Sequence, residues 1–184
     1  EIAGALNQAL LERGFPTHSL EAYRGMIGEG VENLVTQALP SDALGLLPNV
    51  ISEYRVHYAR LLGKDTRAYP GIDTLLNRLS ASGFRLSVLS NKRDDFTGAL
   101  VKVLFPRIGF VEVRGEREGV PRKPHPQAAV ELAQAMNVSV EECLFVGDTR
   151  IDMQTATAAG MWPVGVLWGF RSQEELLAHG AKWL

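Results

Sequence analysis

Apolar residues in the first third of the chain recur at helical spacing. Ile2, Leu6, Ala9 and Leu10 form one stripe, which Gly14 and Pro16 close. Ser19 suits the N-cap of a short helix carrying Leu20 and Tyr23. Gly28 and Gly30 break the pattern before Val31, Leu34, Val35 and Ala38. After Pro48, the residues Val50, Ile51, Tyr54, Tyr58 and Leu61 share the buried side of a longer helix. No strand pattern appears before about Arg67, so the spacing predicts a small helical bundle over residues 1–66.

The pattern changes after Tyr69-Pro70-Gly71. Ile72, Leu75, Leu76 and Leu79 mark a helix ending at Gly83, and Phe84–Leu89 reads as a buried strand. A helix over Phe96–Leu104 leads to a second strand near Gly109–Val113. Pro126 opens a helix with Ala129, Leu132, Ala133 and Met136 inward. Cys143–Val146 is a third strand, a helix over 151–159 ends at Gly160, and Pro163–Leu167 is a fourth strand before a last helix around Gln173–His179. Strands alternating with single helices predict an α/β core over 67–184, a doubly wound, Rossmann-like parallel sheet covered on both faces.

Composition narrows the partners rather than the fold. The 184 residues are 46% hydrophobic and 22% charged, which excludes disordered and collagen-like chains. Nineteen Lys and Arg against 21 Asp and Glu give a net charge of -2, so no basic field offers itself to nucleic acid. Cys143 has no second cysteine to pair with, and no run approaches the roughly 18 apolar residues of a membrane span. These features predict a cytoplasmic protein that binds neither nucleic acid nor membrane. Its oligomeric state is open.

In open parallel sheets, ligands bind beyond the carboxyl ends of the strands. Ser90-Asn91-Lys92 follow the first strand, where a hydroxyl, an amide and backbone N–H groups suit either an ordinary turn or an anionic oxygen. Arg122-Lys123-Pro124-His125-Pro126 follow the second; Lys123 is either a solvated charge or a point charge aimed at phosphate. His125, between prolines, reads as solvent-facing and receives no role. Gly147-Asp148-Thr149-Arg150-Ile151-Asp152 follow the third strand. Asp148 as an N-cap and Asp152 as a first-turn acid are the local readings. A pair of acids four apart on one helix face is better accounted for as a site for Mg²⁺, a hard cation that takes oxygen ligands.

Taken together, these segments resemble the haloacid dehalogenase-like hydrolase superfamily, in particular its phosphoglycolate phosphatase-like members. Val88-Leu89-Ser90-Asn91-Lys92 is similar to the second motif, Lys123-Pro124-His125-Pro126 to the third, and Phe145-Val146-Gly147-Asp148 through Asp152 to the fourth. Tyr69-Pro70-Gly71 and the tail Gly165–Arg171 also match that subgroup. The resemblance implies that Ser90 and Asn91 bind a phosphoryl group and that Lys123 neutralises it. It implies that Asp148 ligates Mg²⁺ with Asp152 in support, and that residues 1–66 are a helical cap. Within that cap, Arg24–Gly30 would face substrate, and Arg24 could meet its carboxylate or phosphate. The expected substrate is a small-molecule phosphate ester, phosphoglycolate first.

One departure stands against these matches. The family's first motif, D-x-D-G-T, supplies an aspartate nucleophile and an acid/base aspartate, but no two aspartates here are spaced i, i+2. In the family the strand carrying that motif is central, between the strand reaching Ser90 and the one reaching Gly147. The chain is therefore expected to be part of a longer polypeptide with about twenty further N-terminal residues, a strand plus a loop. As given, it would be inactive. The alternatives are a non-catalytic phosphoryl-ligand binder, a pyrophosphatase and a sugar phosphomutase. A metal-free dehalogenase is disfavoured by the Asp148–Asp152 arrangement, and a Schiff-base phosphonatase by the absence of a lysine before Lys64.

Overall fold

Local signals set the helices of the first unit. The computed structural model describes residues 1–184, and its internal contacts divide the chain into Glu1–Arg67 and Ala68–Leu184. The first unit holds α1 (Ile2–Glu12), α2 (Leu20–Met26), α3 (Val31–Ala38), a 3-10 segment (Ser41–Leu46) and α4 (Leu47–Leu61). Gly14 adopts positive φ just past α1, and the Ser19 hydroxyl caps α2 by accepting the Ala22 N–H. Leu6, Leu10, Val50 and Tyr58 are fully buried, or nearly so, where α1 packs on α4. Ile51 and Leu61, expected inside, are only half-buried because Val50, Tyr54 and Tyr58 already fill that face. Asn7 pins the connection to α2: its side chain exchanges hydrogen bonds with the His18 backbone and accepts the Tyr23 hydroxyl at 2.6 Å.

The Glu1 carboxylate accepts backbone N–H bonds from Gly63 (3.1 Å), Asp65 (2.7 Å) and Thr66 (2.8 Å), closing the end of α4 onto the start of α1. Partial burial pushes its pKa up, but these donors outweigh burial and hold it below the ordinary 4.5. A depressed carboxylate stabilises the fold above its unfolded pKa, and that contribution is lost as pH falls through the folded value. Glu1→Ala is expected to lower the thermal midpoint at neutral pH, with the gap to wild type closing below pH 4.5. Melts across that range test it; a gap independent of pH would contradict it.

In the second unit α5 (Ile72–Ala81) precedes β1 (Ser87–Arg93), α6 (Asp94–Leu104), β2 (Glu112–Glu116) and α7 (Gln127–Ala135). Then come β3 (Leu144–Gly147), α8 (Arg150–Ala159), β4 (Trp162–Gly165) and α9 (Gln173–Ala178). β1 pairs with β2 and β3 with β4, both in parallel, each pair closing over the single helix between its strands. The two pairs form separate two-stranded ladders rather than one continuous sheet. They share a core nonetheless. Leu89 of β1 and Phe145 of β3 both pack against a cluster of Ala129, Ala133, Cys143, Ala156, Ala159 and Met161.

Several expectations change, and the second strand, expected near Gly109–Val113, runs Glu112–Glu116. The first strand begins at Ser87, not Phe84, and Phe84 is exposed; β1 instead runs on through Ser90, Asn91 and Lys92. β3 is not a buried strand either, since Leu144 is 60% and Val146 59% exposed. β3 is paired along one edge only. α5 likewise buries none of its residues, although Ile72, Leu75, Leu76 and Leu79 share a face.

Candidate active site at the strand ends

The site begins with a distortion in β1. Leu89 pairs with Arg114 and Arg93 with Glu116, so β1 fits two more residues than β2 into the same stretch of ladder. This bulge turns Ser90, Asn91 and Lys92 out of regular pairing, as bulges beside functional sites do. Gly115 permits it: a Cβ there would lie 2.4 Å from the Lys92 carbonyl oxygen and 2.5 Å from the Asp94 Cα. Asp94 accepts the Gly115 N–H at 2.7 Å, and buried Thr97 donates to the Lys92 and Arg93 carbonyls. The Ser90 Oγ accepts the Lys92 N–H at 3.1 Å, so its own proton points elsewhere and can serve an anion.

Asn91 is 8% exposed, and its amide forms a two-point latch on the backbone of Lys123. Its Nδ2 donates to the Lys123 carbonyl at 3.0 Å and its Oδ1 accepts the Lys123 N–H at 2.9 Å. The side chain named from sequence as a phosphate donor therefore fixes the segment that carries the lysine, which sits at a cis Lys123–Pro124 bond.

From that latch Lys123 reaches inward. Its Nζ donates to Asp152 Oδ1 at 2.7 Å and to the Leu89 carbonyl at 3.2 Å, and lies 5.8 Å from the Phe145 ring centroid. The two side chains are 11% and 9% exposed, so this ion pair is nearly buried. An ammonium has three donors, and these bonds use two. That leaves a third N–H with which the ammonium could meet an anionic oxygen.

At the end of β3 the helix start differs from the sequence reading. Thr149, not Asp148, is the N-cap of α8, and Asp152 completes a capping box by accepting the Thr149 N–H at 3.1 Å. Asp148 therefore lies outside the helix, and the two acids do not share one helical face. Asp152 Oδ2 also accepts the Thr149 hydroxyl at 2.7 Å, so both its oxygens are engaged by Thr149 and Lys123. Gly147 allows this closeness, because a Cβ on it would fall 2.2 Å from the Asp152 Cβ. The Asp148 Oδ2 accepts the Phe170 N–H at 3.0 Å, from the loop after β4. That loop had no assigned part in the chemistry; its contribution is through backbone, which leaves little trace in residue type.

No group of three or more His, Cys, Asp or Glu side chains is arranged so that it could hold a metal ion. The donors here fit a cation that asks for few protein oxygens: the half-buried Asp148 carboxylate can offer Oδ1, and Mg²⁺ keeps several waters. Arg24 belongs to the first unit, on the exposed side of α2, 3.6 Å from Glu21.

The sequence pattern of the haloacid dehalogenase-like hydrolases matches residues 1–166. The chain belongs to this family. Among curated proteins it is 32% identical over 182 residues to a phosphoglycolate phosphatase of Nitrosospira multiformis, covering 96% of this chain and 80% of that one. It is 31% identical over 188 residues to the phosphoglycolate phosphatase of Rhodospirillum rubrum, with 98% and 78% covered. A crystal structure from Lactobacillus delbrueckii subsp. bulgaricus superposes with a TM-score of 0.88 at 29% identity, covering all of this chain and 86% of the other. The HAD-like fold, a Rossmann-type α/β core with helical cap, is thus that of the present chain. No helix is long and apolar enough to cross a membrane.

Proposed function

We propose that this chain carries the phosphate-handling residues of a phosphatase acting on a small phosphate monoester, with phosphoglycolate as the preferred substrate. The observation that carries the reading is Lys123. Its ammonium is held between Asp152 and the carbonyl of Leu89, the residue before Ser90, with one donor left over. The names of the curated relatives support the phosphoglycolate assignment.

In this reading an aspartate outside these 184 residues attacks phosphorus. It sits at the end of a strand lying between β1 and β3. The separate ladders, the exposed Leu144 and Val146 and the uncovered face of α5 support such a strand. As the new P–O bond forms, the ester P–O bond breaks and a second aspartate gives the leaving alkoxide a proton. The same group then takes a proton from water, whose oxygen bonds to phosphorus as the acyl phosphate opens, releasing phosphate and the carboxylate. Throughout, Lys123 and Ser90 donate to the phosphoryl oxygens, and Asn91 keeps Lys123 in place. Asp148 would hold Mg²⁺, while Asp152 orients Lys123 and Thr149 beside it. When bound, Mg²⁺ supplies positive charge against the phosphoryl oxygens.

The test is phosphate release from a panel of esters by the whole protein, with and without Mg²⁺. Phosphoglycolate should show the highest kcat/KM, and a chelator should remove the activity. Binding of phosphate without turnover of any ester would instead mark a non-catalytic binder.

A further inference from the structure

The acid at the end of β3 lacks the support that its neighbour enjoys. Asp152 is locked by a capping box and by Lys123, but Asp148 precedes the helix cap and takes no part in it. Something else must set the rotation of its carboxylate. The segment after β4 stands against it. A Cβ on Gly169 would fall 2.2 Å from the Asp148 Cβ, 2.3 Å from Oδ2 and 2.6 Å from Cγ. These distances are too short for any side chain. Position 169 is therefore glycine because of close approach. The next residue, Phe170, donates its N–H to Oδ2 at 3.0 Å.

The segment is anchored on both sides of this contact. Before it, the Val166 N–H bonds to the Gly147 carbonyl at 3.0 Å, tying it to the residue preceding Asp148. After it, Ser172 caps α9 by accepting the Glu175 N–H at 3.3 Å. The side chains flanking Gly169 do little anchoring: Trp168 is 52% and Phe170 47% exposed. What the segment presents to the strand end is bare backbone.

We propose that the Gly169–Phe170 step is a positioning element for Asp148. The Gly169 Cα backs the carboxylate, and the Phe170 N–H fixes Oδ2 so that Oδ1 faces a bound cation. The proposal rests on the reading of Asp148 as the Mg²⁺ ligand.

Calorimetric titration of the whole protein with Mg²⁺ tests it. Gly169→Ala should weaken binding about ten-fold or more, the usual effect of losing a group that orients a metal ligand. Trp168→Ala, next to the step but outside it, should bind within about two-fold of wild type on the same scale. A second measurement needs no metal. Gly169→Ala should lower the thermal midpoint, and the loss should shrink by at least about half when Asp148→Gly removes the side chain it collides with. A Gly169→Ala protein that fails to fold until Asp148→Gly is added supports the proposal equally. Unchanged Mg²⁺ affinity in a folded Gly169→Ala protein overturns it, as does an equal midpoint loss in both backgrounds. If wild type binds no Mg²⁺, the functional reading of Asp148 fails and the cation part of the proposal fails with it. The midpoint cycle still decides whether Gly169 acts through Asp148.

Discussion

Lys123→Met is expected to lower kcat by about a thousand-fold and to destabilise the protein by about 3 kcal/mol. Methionine keeps most of the volume of the side chain but none of its donors. On the proposed reading, the catalytic loss comes from the third N–H, which would donate to charge that builds on the phosphoryl oxygens. The stability loss has a different source, because Asp152 is left as a nearly buried carboxylate without its cation. These two effects separate experimentally. Adding Asp152→Asn removes the orphaned charge and should return part of the thermal midpoint, but none of the turnover. Steady-state kinetics well below the midpoint read the first effect, and thermal melts the second. Near-normal kcat in a folded Lys123→Met protein would remove the central assignment.

Asp148→Asn should be the reverse case, catalytically severe and structurally mild. The amide oxygen can still accept the Phe170 N–H, and Asp148 takes no part in the capping of α8. The stability change is therefore expected to stay within about 0.5 kcal/mol, as for surface substitutions that break no buried contact. Losing the negative charge removes the carboxylate proposed to hold Mg²⁺, so Mg²⁺-dependent phosphate release should fall by at least about a hundred-fold at any practical Mg²⁺ concentration. A titration of activity against Mg²⁺ checks it. Full activity with an unchanged midpoint in Mg²⁺ would show that Asp148 serves the fold alone.

Periodicity revealed the two textures of the chain because it is a local property: helices and strands write their spacing into adjacent residues. The order of motifs was legible for the same reason, each being a short run at a strand end. What the spacing concealed depends on contacts between distant residues. Asn91 looked like a donor to phosphate, yet its amide also latches onto a backbone 32 positions away. The bulge through Ser90–Lys92 requires Gly115 across the ladder, which a single strand does not disclose. The start of α8 was different. Thr149 and Asp152 carry a recognisable threonine-to-acid spacing, but reading Asp148 and Asp152 as a pair on one helix face passed over it. The exposed faces of β3 and α5 were unreadable in principle, since apolar residues report what a segment can bury and not what stands beside it.

The two ladders also bear on how this core assembles. Each is a strand–helix–strand module closed over a short stretch of chain, so each can form from local contacts before the other is in place. Lys123 belongs to neither; it comes from the segment joining them and bonds to Leu89 in one and Asp152 in the other. A phosphate gripped by Ser90 and Lys123 would bind only after the modules have docked. Its binding energy would then fall on the joint between them, resisting their separation more than the unravelling of either one.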